Sequence, residues 1–133
     1  MTTDVSEDRQ RKAAEVESAV AHWHGGDSLY QHWMPQRFRY TEGVKLLADK
    51  AGAYWLVDAI MSHQVNRALR SVRMKEFQLW ELKVNPDASC VLTCREDSDV
   101  EPAVTQEIEY TDFPLDYIKL YLEGSILMLP SEH

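Results

Sequence analysis

Hydrophobic residues recur at two different periods along this chain, and the change of period separates two kinds of predicted element. In the first half they recur every three or four residues, which is typical of amphipathic helices. One helix is predicted to end near residue 21, and two more are predicted at residues 41–50 and 54–69. Thr41 is a suitable N-cap for the second helix, and Gly52 fits the position just beyond its end.

Beyond residue 76 the hydrophobic positions alternate, which is typical of strands with one buried face. Strands are predicted at residues 76–84, 89–95, 103–110 and 126–129, with another short one within residues 28–33. In the third of the four late strands, Tyr110 should point inward and Glu107 outward. Asp112 is expected to cap a short helix over residues 114–122.

The order of these elements predicts an α+β fold. The helices should pack on one face of an antiparallel sheet of about four to five strands. The length of 133 residues is typical of one domain, so residues 1–133 are predicted to form a single unit. No apolar run approaches the ~18 residues of a membrane span, and residues 1–12 are too polar for a signal peptide. The expected location is the cytoplasm, without a membrane partner.

The formal net charge of −8 originates in one segment. Residues 96–116 contain eight acidic side chains and no Lys or Arg, while the rest of the chain has as many basic as acidic residues. A surface of one sign attracts partners of the opposite sign. Carboxylates held by a strand, about 7 Å apart at alternate positions, present a more fixed pattern than those of a loop. The predicted partner-binding residues are therefore Glu107, Glu109, Asp112 and Asp116.

A basic cluster follows the third helix and provides an alternative site. It consists of Arg67, Arg70, Arg73 and Lys75. These side chains would contact phosphate, or pair with the acidic segment in the same chain or in a second copy of it. The alternative interpretation is thus a nucleic-acid-binding regulator that uses residues 44–73. The acidic balance of the chain argues against general nucleic-acid binding, and Asp58 falls where a helix-turn-helix motif needs an apolar residue.

Other residues that could carry chemistry do not form a recognisable site. His22, His24, Asp27 and His32 are of the types that bind zinc, but their spacing matches no metal-binding motif. No metal, cofactor or catalytic residue is predicted, and nothing indicates an enzyme.

The two cysteines, Cys90 and Cys94, are expected to be reduced residues that pack in a strand. On one strand their Cα atoms would lie about 13 Å apart, too far for a disulfide. The acids that follow them oppose a reactive thiolate, even with a histidine such as His63 nearby.

Five segments together carry a family resemblance. They are YTEGVK at residues 40–45, GAYWLVDAI at 52–60, EFQLW at 76–80, EIEYTDFPLD at 107–116 and LPSE at 129–132. They resemble an uncharacterised family of small bacterial proteins, a domain of unknown function found on plasmids and phage-like mobile elements. The resemblance covers residues 33–133 and leaves residues 1–24 outside it. It implies an accessory gene of a mobile element, and such genes often encode inhibitors of host proteins.

The sequence and the resemblance together lead to one expected function. The protein should be a non-enzymatic accessory protein that binds a host protein with a basic surface. The expected target is a nucleic-acid-handling or defence complex, inhibited in the manner of anti-CRISPR proteins. A second copy of the chain is a further candidate partner.

Overall fold

The computed structural model describes residues 5–23, 28–33 and 37–133. Helices in these residues are α1 (Val5–Ala21), α2 (Glu42–Ala51), α3 (Tyr54–Ser62) and α4 (Val72–Glu76). Strands are β1 (Leu29–Gln31), β2 (Arg39–Thr41), β3 (Phe77–Val84), β4 (Cys90–Arg95), β5 (Val104–Ile108), β6 (Tyr117–Glu123) and β7 (Ile126–Met128). Short 3₁₀ turns occur at His63–Val65, Arg67–Leu69 and Pro130–Glu132.

The strands form one sheet in the order β1-β2-β7-β6-β3-β4-β5. Neighbouring strands are antiparallel except β2 and β7, which are parallel. The predicted α+β class is confirmed. The predicted count of four to five strands is wrong, because the sheet of the described residues has seven. The additional strands are the short β2 before α2 and β6, which replaces a predicted helix.

The predicted helix over residues 114–122 is wrong, because this stretch enters the centre of the sheet. Strand β6 pairs with β3 on one side and β7 on the other. Its residues Leu120 and Leu122 are buried at alternate positions, which is the period of a strand. Asp112 is exposed and caps no helix in this region.

The predicted third helix also ends early. Helix α3 stops at Ser62, and two 3₁₀ turns continue the chain to Leu69. Asn66 separates the two turns and accepts a hydrogen bond from the Ala68 amide at 2.9 Å. This side-chain bond replaces the backbone bond that a continuous helix would make.

One hydrophobic cluster joins the helices to the sheet. Its largest buried members are Leu47, Leu56, Ile60, Met61, Trp80, Leu82, Leu92, Phe113, Leu120, Leu122, Leu127 and Leu129. The cluster includes Val16 of α1, so the N-terminal helix docks on its own chain. The buried amide of Gln78 is hydrogen-bonded by Gln64 and by the Trp80 indole, so its burial leaves no polar group unpaired.

A single carboxylate connects three distant parts of the chain. Glu132 accepts hydrogen bonds from the Trp23 indole Nε1 at 3.2 Å, the Thr41 hydroxyl at 2.6 Å and the Leu129 amide at 2.9 Å. These donors belong to the end of α1, the N-cap of α2 and the segment after β7. The Glu132 carboxylate therefore holds the C-terminal end of α1 and the N-terminal end of α2 beside the segment that follows β7.

The same carboxylate explains a glycine in the first turn of α2. A Cβ atom added to Gly43 would lie 2.7 Å from Oε1 of Glu132, which is closer than real Cβ contacts. Glycine normally weakens a helix interior. Here its missing side chain gives the carboxylate room to bond Thr41 and Leu129.

We expect Gly43→Ala and Glu132→Ala to be strongly coupled. Glu132→Ala removes three hydrogen bonds to a carboxylate and should lower the free energy of unfolding by about 2–3 kcal/mol. Gly43→Ala should destabilise the wild type by displacing that carboxylate. In the Glu132→Ala background it should instead stabilise by up to about 1 kcal/mol, because alanine is the better helix former.

Urea unfolding of the two single variants and the double variant measures this coupling as a double-mutant cycle. Ser131→Ala, at an exposed neighbouring position, is the matched control and should change little. Equal effects of Gly43→Ala in both backgrounds would contradict the assigned role of Glu132.

Candidate functional site

The predicted acidic residues lie at one edge of the sheet. Strand β5 is the last in the strand order and pairs only with β4 among the described strands. Glu107 lies on β5 opposite Val91, and Glu109 lies one residue beyond the strand end. Both side chains are exposed, as predicted. The regular strand spacing assumed for this pair therefore holds only as far as Ile108.

Tyr110 differs from its prediction. It was expected in the core, but 71% of its surface is exposed. The chain leaves the sheet at this point because the Thr111 amide donates to the Ala88 carbonyl at 2.8 Å, in the β3–β4 turn. The Phe113 amide then donates to the Thr111 hydroxyl at 3.1 Å, and Phe113 is fully buried. Tyr110 is thus an exposed aromatic side chain on a backbone held by its neighbours.

A groove of about 870 Å³ lies beside Tyr110. Its walls are α1, the β3–β4 turn and the segment between β5 and β6. Two of the predicted acids, Asp112 and Asp116, line this groove with Tyr110. A smaller cavity of about 220 Å³, lined by Trp55 and Ile108, also touches Tyr110 and Asp112. Tyr110 therefore lines two concave surfaces.

Helix α1 brings positive charge to the groove. Arg9 Nη1 lies 3.0 Å from Asp116 Oδ1, and Arg9 Nε donates to the Phe113 carbonyl at 3.3 Å. Lys12 lines the same groove. Arg9 Nη2 is buried and has no hydrogen-bond partner among the described residues. These contacts could not be predicted from local pattern, because Arg9 and Phe113 are 104 residues apart in the chain.

The acidic segment is consequently divided into paired and unpaired members. Asp116 is paired with Arg9, and Glu96 with Arg73 at 3.1 Å. Glu107, Glu109 and Asp112 form no ion pair with any described residue. Three of the four predicted partner-binding acids therefore keep their charge available to a partner.

The basic cluster is not one continuous surface. Arg73 is turned to Glu96, and Arg67 lies exposed in a 3₁₀ turn. Arg70 and Lys75 line a separate cleft together with Arg37. Arg37 is distant in sequence, so the predicted cluster did not include it.

The two described histidines of the candidate metal cluster, His22 and His32, contact different residues. His32 is buried, and its Nε2 lies 2.7 Å from Asp58 Oδ1, which also accepts from the Trp33 indole at 3.2 Å. His22 is exposed, with Nδ1 2.7 Å from the Ser18 carbonyl. His24 and Asp27 are outside the described residues. No group of three or more His, Cys, Asp or Glu suited to a metal occurs in the part of the chain that is described.

Asp58, the polar residue at a position where a helix-turn-helix motif needs an apolar one, has a structural role. Asp58, on α3, bonds the two consecutive side chains His32 and Trp33 that follow β1. This links the edge strand β1 to the helical pair. A polar residue at this position is thus explained by a contact within the fold.

Cys90 and Cys94 are free and buried. Burial raises the pKa of the Cys94 thiol to about 12 and raises that of Cys90 as well. His63 does not serve them as a base, since its Nε2 lies 2.7 Å from Gln106 Oε1. The expectation of reduced cysteines that pack in a strand is confirmed, and both are poor nucleophiles.

A charged group also occupies the sheet face opposite the hydrophobic cluster. Glu81 accepts from Arg95 Nε at 3.1 Å and from the Tyr117 hydroxyl at 2.6 Å. Burial alone would raise the pKa of Glu81, but the bonds from Tyr117 and Arg95 outweigh it and lower this pKa. Burial, together with the bond to Glu81, raises the pKa of Tyr117 to about 12. Glu81 is thus stabilised as a carboxylate.

Both thiols should be protected from modification in the folded protein. At about pH 8 we expect a disulfide reagent to react with them at least ~100-fold more slowly than in the unfolded chain, because burial limits access and thiolate formation. Absorbance of the released thiolate measures the rate. The guanidinium-unfolded protein is the control and should release two equivalents, one for each cysteine. Rapid labelling of one thiol under native conditions would contradict the assignment.

The Glu81 bonds should make stability depend on pH. Because the pKa of Glu81 is lowered on folding, its contribution is complete above the pKa of the unfolded state and is lost as pH falls through the folded pKa. Glu81→Gln should therefore cost about 1 kcal/mol near pH 7 and much less near pH 3. Urea unfolding at both pH values measures the difference. Glu107→Gln, which alters an acid without an ion pair, is the control, and an equal cost at both pH values would refute the prediction.

Within the described part of the chain, no helix combines the length and apolar character needed to cross a membrane.

Comparison with known proteins identifies the family to which the chain belongs. A family model described as a family of unknown function (DUF6876) matches residues 14–133, which include the second half of α1 and all strands. No curated protein matches the chain, and no solved structure does. The match agrees with the resemblance to an uncharacterised domain. The chain therefore belongs to this family of unknown function.

Proposed function

We propose that this protein is a non-enzymatic accessory protein of a bacterial mobile element that acts by binding another protein. The docking surface consists of Glu107, Glu109, Tyr110 and Asp112 with the adjoining groove. The partner presents a basic surface to these acids. The family match supports neither the mobile-element origin nor a partner, so the proposal depends on the surface itself.

The observation that carries the proposal is the exposure of Tyr110. The Tyr110 ring is 71% exposed, on a backbone held by its neighbours, and it lines two concave surfaces. Tyrosine is among the residues that contribute most to binding at protein interfaces. The combination of an exposed ring with concave surfaces beside it gives a partner side chain room to pack against it.

Charge supports the same surface. Three carboxylates without ion pairs to described residues, Glu107, Glu109 and Asp112, lie within three residues of Tyr110 in the chain, and they complement Arg or Lys of a partner. Lys12 and Asp112 line the groove and supply a hydrogen-bond donor and an acceptor to a partner. The groove therefore offers both charge and hydrogen-bonding groups.

The free edge of β5 favours a different protein over a second copy of this chain. An edge strand offers unpaired amide and carbonyl groups to an added strand. In an antiparallel pair of β5 strands centred on Ile108, Glu107 of one copy would face Glu109 of the other, and like charges oppose that contact. An extended basic segment of another protein meets no such repulsion.

The proposed target is a host complex that handles nucleic acid, including a defence complex. Proteins that bind nucleic acid concentrate Lys and Arg where they meet phosphate groups. An acidic surface that occupies those residues would compete with nucleic acid, which is how an anti-CRISPR-like inhibitor of this type would act.

We expect loss of partner binding from changes on this surface alone. The partner is first identified by capture from the host and then purified for binding measurements. Tyr110→Ala, and separately Glu107→Lys with Glu109→Lys, should each weaken the affinity at least ~10-fold, or about 1.4 kcal/mol. The thermal unfolding temperature should stay near that of the wild type, because these side chains are exposed.

Two matched controls use exposed positions elsewhere. Glu15→Lys with Glu17→Lys reverses the same charge on α1, and Val72→Ala removes an apolar side chain that is 73% exposed. Neither should change the affinity. Unchanged binding by the Tyr110 and Glu107/Glu109 variants would refute the proposal.

A nucleic-acid-binding regulator that uses residues 44–73 remains the alternative proposal. Its support is that Arg67, Arg70 and Lys75 make no ion pair with described residues. Arg73 is engaged by Glu96, and of the other three cations Arg70 and Lys75, but not Arg67, line the same cleft. This arrangement favours the acidic docking surface as the leading proposal.

A further inference from the structure

A second concave surface has the opposite charge. This cationic cleft has a volume of about 750 Å³ and lies among the residues before β2, the 3₁₀ turns, α4 and the β6–β7 turn. Arg37, Arg70 and Lys75 line it, and no acidic side chain of the described residues does. None of the three forms an ion pair with a described residue. In a chain of net charge −8, three such cations at one cleft are an arrangement suited to an anion.

The floor of the cleft is rigid. Gln78 is only 2% exposed, and its amide exchanges hydrogen bonds with that of Gln64 at 2.9 and 3.0 Å. Gln78 also donates to the Met74 carbonyl at 3.0 Å and accepts from the Trp80 indole at 2.8 Å. Gln64 donates in addition to the Ile60 carbonyl at 2.9 Å. These bonds fix the floor before any ligand arrives, which lowers the entropic cost of binding.

The walls of the cleft are apolar. Phe38 and Leu69 are buried side chains that line it, and Val65, 75% exposed, stands at its rim. Ligand pockets typically combine apolar walls with a few polar groups in a volume of roughly 300–1,000 Å³. The cleft matches this description in size and composition. A ligand that fits it has a charged end and an apolar body.

We propose that the cationic cleft binds a phosphorylated small molecule with a flat apolar body, the chemical class of nucleotides. The phosphates lie against Arg37, Arg70 and Lys75, because guanidinium groups bind phosphate oxygens in pairs and lysine adds a point charge. The flat body packs against Val65, because Phe38 is only 6% exposed and the Arg37 guanidinium lies over its ring, 4.9 Å from the ring centre. This site is separate from the docking surface at β5, which shares no lining residue with it.

A nucleic-acid strand fits the same charges less well. Binding along a phosphate backbone needs a stripe of cations over several nucleotides. Here Arg67 lies outside the cleft lining and Arg73 is paired with Glu96. The remaining cations, Arg37, Arg70 and Lys75, line one open cleft, which suits a compact polyanion.

The test is calorimetric titration of the full chain with ATP, GTP, CTP and UTP. At least one should bind with a dissociation constant below about 1 mM. Adenosine and inorganic tripolyphosphate separate the two halves of the ligand, and each should bind at least ~10-fold more weakly than the best nucleotide, because each lacks one set of contacts.

Variants connect the binding to the cleft. Arg70→Gln with Lys75→Gln keeps long polar side chains but removes two charges, and should weaken nucleotide binding at least ~10-fold. Arg67→Gln, next to the cleft but outside its lining, is the matched control and should bind as the wild type does. Thermal unfolding without ligand should be the same for all three proteins.

Three results would overturn the proposal. One is the absence of binding by all four nucleotides at about 1 mM. Another is tripolyphosphate binding as tightly as the best nucleotide, which would show a site for charge alone. The third is tighter binding of a single-stranded DNA oligonucleotide that is lost in Arg67→Gln, which would assign the cations to nucleic acid.

Discussion

The position of the helices on this sheet depends on one partly buried contact, the Glu132 carboxylate. It joins Trp23 at the end of α1, Thr41 at the start of α2 and the backbone that follows β7. Hydrogen bonds to a charged acceptor are stronger than neutral ones, and here they connect segments up to 109 residues apart. Gly43 leaves the space that the carboxylate occupies. Two of the segments that carry the family resemblance, around residues 40–45 and 129–132, therefore meet in this contact.

The charge of the docking surface follows from that contact. Trp23 bonds Glu132, and Val16 packs in the hydrophobic cluster, so α1 is held against the rest of the fold. Arg9, in the N-terminal half of α1, then reaches Asp116 and the Phe113 carbonyl. The docking surface thus carries less unpaired negative charge than the number of acids in its sequence suggests. Of the four predicted partner-binding acids, those without an ion pair to described residues are Glu107, Glu109 and Asp112. Exposed ion pairs contribute little stability, so the main effect of Arg9 is on which charges a partner meets.

The protein presents two surfaces of opposite sign at different places on the sheet. The acidic one lies at the edge strand β5, and the cationic cleft lies near the start of β3 and the β6–β7 turn. Ion pairs within the protein neutralise some members of each charged group. Asp116 and Glu96 of the acidic segment are paired, and so is Arg73 of the basic cluster. The charges left without a pair are concentrated beside concave surfaces, where a ligand or a partner loses the most water and gains the most from them.

Local chemistry was enough to predict much of the fold. Thr41 caps α2 through the Val44 amide, and Gly52 ends it with a φ of 62°, as expected from these residues alone. The β3–β4 hairpin, the exposed Glu107 and the free cysteines also followed from neighbouring residues, because caps, turns and strand alternation are short-range effects. The order of the predicted elements indicated the fold class, and the resemblance of five segments indicated an uncharacterised family.

The tertiary structure decided the rest. Residues 117–123 form a strand and not a helix because β3 and β7 pair with them on both sides. Tyr110 is exposed because Thr111 bonds to Ala88, and Arg37 joins Arg70 and Lys75 because the sheet brings their segments together. Each of these features depends on contacts between residues far apart in the chain, and such contacts leave no periodic pattern in the local sequence.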